Sequence, residues 1–470
     1  MKKYITSLLW CSIITISACK ITKDTARPQP ELPVAFRNSS TGSDTASIGD
    51  RTWKQFFTDA TLQQLIDSAI RQNFDLQLAT KNMEQANLLL RQSRWGYAPD
   101  VDVQVAASIN RPSNNSLNGF SLKQFLGNTH VEDYTVAVGL SWEADVWGKV
   151  RNAKRAALAS YLQSAEVRKA VQTRLIAEVS QGYFNLLMLD AQMLVAQKNL
   201  TLADSTLRII HLQFDAGQVT SLGIAQAEAQ RASAAQLIPE LQQYILVQEN
   251  ALSVLTGSLP GHKARTAALQ DVPLPSDLAA GFPAAMLSRR PDVRTSELAL
   301  DIANARVGIA KANMYPALRI TASGGINAFK ASSWFSMPAS LFGTVAGGLV
   351  QPILQKKQLQ TQYQLAQVER EKTVIRFRQT VLTAVGEVSD ALAQLEKLEE
   401  RLEVVRGRVK TLQAAIVDAN YLFQNGLATY LEVITAQANL LQSELEANLI
   451  KREQFNAAIE LYRALGGGWK

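Results

Sequence analysis

Two runs of apolar residues, stepping by three and four, dominate the chain. Val385, Val388, Leu392, Leu395, Leu398, Leu402, Val405, Val409, Leu412 and Ile416 recur at intervals of 3, 4, 3, 3, 4, 3, 4, 3 and 4. That spacing lies close to the heptad mean of a coiled-coil seam. A second run lies 209 residues earlier: Ile176, Val179, Tyr183, Leu186, Leu189, Met193, Ala196, Leu200, Ala203 and Leu207. No proline falls from Ser113 to Ile238, and none follows Pro352. The pattern predicts helix from about Val146 to Phe214, roughly 70 residues or ~100 Å at 1.5 Å per residue. Each seam ends on Phe-x-x-Gly, at Phe214–Gly217 and Phe423–Gly426. A second helical pattern of about 40 residues then returns. Glycine supplies the left-handed geometry that such a reversal needs. Each half therefore predicts one long helical hairpin.

Short stretches of period two precede the long helices. They are VDVQVAAS and YTVAVGLSW in the first half, LRITASGG and FGTVAGGL in the second, and they read as strands. Between them, RPSNNSLNGF…NTHVED and NAFKASSWFSMPAS read as loops. A helix of about 30 residues leads each half, near 61–95 and 283–313, closed by Pro99 and Pro316. The halves are copies. Asp75/Asp292, Ala86/Ala303, Asn87/Asn304 and Pro99/Pro316 match at an offset of 217. VAVGL (136–140) matches VAGGL (345–349) at 209, as do EVS at Glu178 and Glu387 and the two glycine breaks. The fall of 8 places extra residues of the first half between Pro99 and Val136, where an exposed loop is expected.

Composition narrows the function. Charged residues make up 19% of the 470, below the globular average of about 25%, which suits long, weakly charged helix faces. The formal charge of +7 is spread out and forms no basic block, so nothing points to nucleic acid. His130, His211 and His262 lie far apart, outside metal-ligand spacing. At the N-terminus, Lys2 and Lys3 precede the apolar YITSLLWCSIITI, too short for a mature membrane helix. ISAC at Ile16–Cys19 resembles a bacterial lipobox. That likeness implies cleavage before Cys19 and lipid on its sulfur and amino group; an ordinary signal peptide containing Cys is the alternative. Removal of residues 1–18 would leave a charge of +5 and a single cysteine, hence no internal disulfide. A lipid is one tether, and stable anchoring takes a second element. The expected divisions are a signal peptide at 1–18, an anchored segment at 19–60, a first repeat at 61–256, a linker at 257–282, a second repeat at 283–465 and a tail at 466–470.

Four strands cannot close a membrane barrel, since the smallest bacterial barrels have eight, and open edges are not tolerated in lipid. Either the sheet is soluble and covered, or several chains share one barrel. The lipobox, the duplicated halves, SWEADVWGKVRNAKRAA (141–157), MYPAL (314–318) and the terminal ALGGGW (464–469) together resemble the TolC-type outer-membrane efflux proteins. The likeness is to the OprM/NodT lipoprotein branch, which serves resistance-nodulation-division pumps, and it covers nearly the whole mature chain. The resemblance implies a mainly α fold with a small β part, in a homotrimer. Duplicated coiled-coil hairpins would form an α-barrel of about 100 Å through the periplasm. Four strands per chain would contribute to a shared 12-stranded transmembrane β-barrel. It implies an outer-membrane location and, as partners, a periplasmic adaptor, an inner-membrane resistance-nodulation-division pump and outer-membrane lipid. A type I secretion duct and a channel-free periplasmic coiled-coil scaffold are the competing readings.

At the strand-to-helix transition, Trp142 and Trp147 suit the membrane interface and Gly148 permits the turn. Glu143 and Asp145 lie near a helix N-terminus, which stabilises carboxylates. In the second half Gln351 and Pro352 replace Trp142 and Glu143, with Pro352 expected in a helix first turn. There is no nucleophile elbow, phosphate loop or metal cluster, so no catalytic residue, metal or cofactor is assigned. Selection by pore-lining residues is the chemistry a conduit needs. The Pro/Gly-rich segment 257–283 reads as a linker, and residues 20–60 as a strand of chain draped outside. Seven methionines form no metal track, which favours organic substrates. The resemblance also implies a gate past the second glycine, at Glu432 and Thr435, one turn apart; a merely solvated Glu432 is the alternative. It makes the hairpin tips, Ala216, Gly217 and Gln218 with Asn425, Gly426 and Leu427, the docking points for the adaptor.

Overall fold

The computed structural model describes residues 33, 35–37, 47–275 and 279–470. The signal peptide and Cys19 lie outside the described residues. In chain order the helices are α1 (Trp53–Phe56), α2 (Ala60–Gln72), α3 (Phe74–Arg94), α4 (Leu117–Leu126), α5 (Lys149–Asp215), α6 (Ser221–Leu255), α7 (Pro283–Arg289), α8 (Pro291–Ala312), α9 (Gln358–Gln424) and α10 (Tyr430–Ala464). The strands are β1 (Asp100–Asn110), β2 (Val131–Glu143), β3 (Ala317–Ala328) and β4 (Leu341–Val350). Among the described residues no helix is long and apolar enough to cross a membrane. The chain divides into two compact units. One holds Gln85–Leu162 and Leu298–Ile375; the other holds the described part of Gln29–Glu84 with Gln163–Glu297 and Arg376–Lys470.

The first unit is built on an antiparallel meander in the order β1-β2-β3-β4. The β1–β2 connection spans 111–130 and the β3–β4 connection 329–340. Their lengths, twenty and twelve positions, differ by the eight residues that separate the two repeat offsets. The longer connection, expected as plain loop, carries α4. Ser116 starts that helix by accepting from the Gly119 N–H at 3.1 Å, and Gly127 ends it at φ +64°.

The second unit holds the helical core. Every seam position named from the sequence is buried or half-buried. Tyr183, Leu186 and Val179 are completely enclosed, each large apolar side chain worth about 1.5–3 kcal/mol on burial. Phe184 stacks on Phe455 with ring centroids 4.1 Å apart.

Each 30-residue leading helix proves to be two helices. Arg290, φ −73° and ψ 119°, separates α7 from α8, because Pro291 pushes the residue before it out of helical geometry. Asn73, φ −62° and ψ 129°, separates α2 from α3. Its Oδ1 accepts from the Leu76 N–H at 3.0 Å and its Nδ2 donates to the Leu255 carbonyl at 3.0 Å. The copies obey the same plan at 217 and 209. Arg290 Nη1 donates to the Ala464 carbonyl at 2.9 Å, as Asn73 does to Leu255. Gly257 and Gly466 follow at φ +63° and +85°.

Segments read as linkers are packed. From Ser47 the N-terminal segment buries Ile48, Trp53, Phe56 and Phe57, and Phe56 stacks on Tyr462 at 4.3 Å. Within 257–282, Arg265 bonds Asp190 Oδ1 at 3.0 Å and Glu249 Oε1 at 2.5 Å. His262 Nδ1 lies 2.8 Å from the same Glu249 oxygen. Burial alone would raise the Glu249 carboxyl, but Arg265, the Lys263 N–H and His262 hold it below its ordinary value.

Candidate functional site

Directly paired residues in a sheet point to the same side, so the register sorts the four strands into two faces. Val101, Val103 and Val105 pair with Leu140, Val138 and Val136. Leu140 and Val136 pair onward with Ala322 and Ile326, which meet Val345 and Leu341. This face holds no charged side chain between Tyr134 and Trp142. On the other face Asp102 aligns with Gly139, Ser323 and Thr344, and Asp100 with Ser141, Thr321 and Ala346. Asn327 donates there to Asp133 at 2.7 Å and Thr135 at 2.8 Å. Apart from Val131, Phe342 and Val350, its large side chains are polar. The apolar face is open on the outer strands, with Val103 70% exposed and Val345 82%, while Ile326 on β3 is buried by its neighbours. Aromatic rings bound it. Tyr134 packs on Trp334 at one end, and Trp142 bonds the Tyr97 carbonyl at 2.9 Å at the other. Tyr134 to Trp142 spans about 27 Å along a strand, or ~20 Å across a membrane at a ~40° tilt. β1 and β4 each pair on one side alone, so both edges are open.

At the first strand-to-helix junction, Asp145 accepts from the Val150 and Arg151 N–H groups at 2.8 and 2.9 Å and caps α5. Gly148 turns the chain at φ +75°. Trp147 Nε1 donates to the Pro316 carbonyl at 2.7 Å, and its ring packs 5.0 Å from Tyr315. Glu143 sits 3.0 Å from Lys149 and 3.4 Å from Arg319, an ion-pair cluster. The second junction differs from expectation: α9 starts at Gln358, so Pro352 lies in irregular chain before it.

The two tips have the same geometry. Gly217 (φ +72°) and Gly426 (φ +71°) donate to Phe214 and Phe423, at 2.8 and 3.1 Å. The next N–H, from Gln218 or Leu427, reaches back to Gln213 or Leu422, each at 2.8 Å. These are Schellman closures. The tip residues Ala216 to Gln218 and Asn425 to Leu427 are all exposed. Behind them Ile210, Ala227, Phe423 and Val433 form one buried cluster, which joins the two hairpins. Two polar links add to it: Tyr430 OH donates to Gln226 at 2.6 Å, and Gln437 Nε2 to Thr206 Oγ1 at 2.8 Å, fully buried. Sequence reading missed both. The available signal was Gln437 itself, a polar residue one turn after Val433 on the buried face. Glu432 and Thr435 are both exposed. Glu432 accepts from the Thr429 N–H at 2.5 Å, so its carboxylate also caps α10.

A duplicated chain with long helical hairpins and a two-faced, open-edged sheet defines an outer-membrane channel protomer. The pattern of the outer membrane efflux protein family matches residues 65–258 and 283–467, one block per repeat, and the chain belongs to that family. It is 28% identical over 471 residues to the cation efflux system protein CusC of Escherichia coli, covering 98% of this chain and 99% of the relative. It is 29% identical over 487 residues to the toluene efflux pump outer membrane protein TtgC of Pseudomonas putida, covering 100% and 96%. Among solved structures, the open state of the Neisseria gonorrhoeae MtrE outer membrane channel matches with a TM-score of 0.84 and 25% identity, over 96% of this chain and 99% of that one. A CusC crystal structure matches at 0.82 and 26%, over 96% and 100%. The protein is an outer-membrane efflux duct.

Proposed function

We propose that three copies pool their strands into one closed barrel and act as the exit duct of a tripartite efflux pump. Substrates pass from periplasm to exterior without covalent chemistry, so the protein is not an enzyme. The observation that carries this reading is the sheet. One face is apolar, the other polar, and both edges are unpaired. Lipid tolerates no open edge, and a rotationally symmetric ring of copies removes every edge at once. Energy comes from an inner-membrane pump reached through a periplasmic adaptor, a role supported by the pump names of the relatives.

The adaptor docks at the tips around Gly217 and Gly426, and the gate lies at Glu432 and Thr435. Exposure of these residues and the shared geometry of the two tips support that assignment. Cys19 carries the lipid that tethers the chain. The test is an unheated denaturing gel of membrane-extracted protein, paired with efflux complementation. A heat-labile trimer that restores drug tolerance is expected. A monomer that still supports efflux overturns the reading. Gly426→Pro, which cannot adopt φ +71° or donate to Phe423, is expected to keep trimers and lose efflux. Retained efflux removes the tip from the docking assignment.

A further inference from the structure

The two strand-to-helix junctions should be copies, yet they are not. At an offset of 209, Ala144, Asp145, Trp147 and Gly148 correspond to Ile353, Leu354, Lys356 and Lys357. The backbone plan is retained. Gly148 accepts from the Asn152 N–H at 2.9 Å, and Lys357 from the Thr361 N–H at 2.9 Å. Gln351 keeps the role of Trp142, each donating to the carbonyl at matching positions, Met314 and Tyr97, but at the four positions above every side-chain role has changed. The capping carboxylate of Asp145 has become Leu354, 93% exposed, beside Ile353 at 86%. The glycine that permits the left-handed turn has become Lys357 at φ +61°, preceded by Lys356 at φ +49°. Side chains beyond glycine avoid that region, and such outliers persist where something compensates. Both lysines are exposed, and neither has an ion-pair partner among the described residues.

The loop also has a defined level. Gln351 Nε2 donates to the Met314 carbonyl at 3.0 Å, next to Tyr315, whose ring packs on Trp147. It directly follows β4, whose Leu349 and Val345 belong to the apolar face. Aromatic rings of this kind mark the boundary between hydrocarbon and headgroups. Two bare aliphatic side chains next to two unpaired ammonium groups at that boundary match an anionic phospholipid: acyl chain below, phosphate above.

We propose that Ile353–Lys357 is a binding site for anionic phospholipid of the inner leaflet. Ile353 and Leu354 insert among acyl chains, and Lys356 and Lys357 hold the headgroup phosphate. The proposal rests on the sheet being a membrane wall, and its test separates the two. Nitroxide labels are placed at Leu354→Cys and, as a control, at Val345→Cys in full-length protein in phosphatidylglycerol-containing vesicles. The expected result is that both labels are open to oxygen and shielded from a water-soluble nickel chelate. A nickel-accessible label at 354, or one closed to both reagents, overturns the loop proposal while a lipid-exposed 345 leaves the barrel standing. A water-exposed 345 overturns the barrel reading itself. Native mass spectrometry with added phosphatidylglycerol supplies the second arm. Lys357→Gly, which reproduces Gly148, and Lys356→Gln are each expected to weaken retention about fivefold, with phosphatidylcholine retention unchanged. Equal retention of phosphatidylglycerol by both variants and the parent overturns the headgroup assignment.

Discussion

Arg290 offers a perturbation whose size follows from its contacts. Its side chain is 4% exposed. It donates to Asp292 at 3.0 and 2.7 Å, to Glu387 at 2.7 Å and to the Ala464 carbonyl at 2.9 Å. Arg290→Met keeps much of the volume and removes all four bonds. Breaking a fully buried pair costs about 3–5 kcal/mol. Here Asp292 and Glu387 are 45% and 33% exposed, and Arg463 stays 3.3 Å from Glu387, so solvent and a second cation offset part of it. The expected cost is about 2–3 kcal/mol, or a fall in melting midpoint of roughly 2–3 °C for a chain of this length. Circular dichroism of detergent-purified protein reads it.

The pH dependence sharpens the test. Burial pushes the Asp292 carboxyl up, but the Arg290 guanidinium outweighs it and holds the carboxyl below its ordinary value. Such a group contributes fully above its unfolded pKa, about 3.9, and its contribution is lost as pH falls through the lower folded value. Without Arg290, the Val293 N–H, 2.9 Å from Asp292 Oδ1, still offsets burial, so the variant's stability depends less on this carboxyl's protonation. The gap between wild type and Arg290→Met should therefore hold from about pH 7 to pH 5 and narrow as the pH falls towards 3. Arg290→Asn, which copies Asn73, should recover the backbone link and part of the loss. A gap under ~1 kcal/mol at pH 7, or one unchanged at about pH 3, refutes the account of this network.

Other expectations follow from single contacts. A Cβ at Gly426 meets nothing within 4 Å, whereas one at Gly257 lies 2.5 Å from the Gln72 carbonyl oxygen. Gly426→Ala should then cost only the left-handed strain, about 1–2 kcal/mol, and Gly257→Ala distinctly more; equal melting losses would contradict this. Val345→Lys places a charge on the apolar face and should cost about 2–4 kcal/mol near mid-bilayer, seen as lost trimer in outer-membrane fractions. Thr344→Lys on the polar face should assemble normally. Glu432→Gln should reduce cation selectivity, and an unchanged reversal potential would remove Glu432 from the gate.

The long hairpins were legible because one apolar seam and the absence of proline leave a chain few alternatives. Gly217 and Gly426 were legible because a left-handed closure asks for glycine. The faces of the sheet were visible as alternation in each strand, but not their agreement across strands, which depends on register and hence on four segments at once. The hinge at Arg290 was readable from Arg290–Pro291, although the leading helix was read straight through it. The one at Asn73 was not, since an asparagine inside an apolar period marks a break only when its side chain finds Leu76 and Leu255. Likewise Phe56 and Phe57 fall in a segment read as chain draped outside, and only their packing on Tyr462 shows it anchored in the core. The second junction kept its backbone and lost its sequence likeness, so Pro352 appeared to open a helix that begins at Gln358.

The central claim is that open-edged sheets close through copies into a conducting wall. Single-channel recording of purified protein in planar bilayers tests it most directly, using a chain whose tip links are removed by Tyr430→Phe and Gln437→Ala. The account predicts uniform conductance steps, larger and more frequent than in the parent protein. Trimers that insert into the bilayer and pass no current would contradict it.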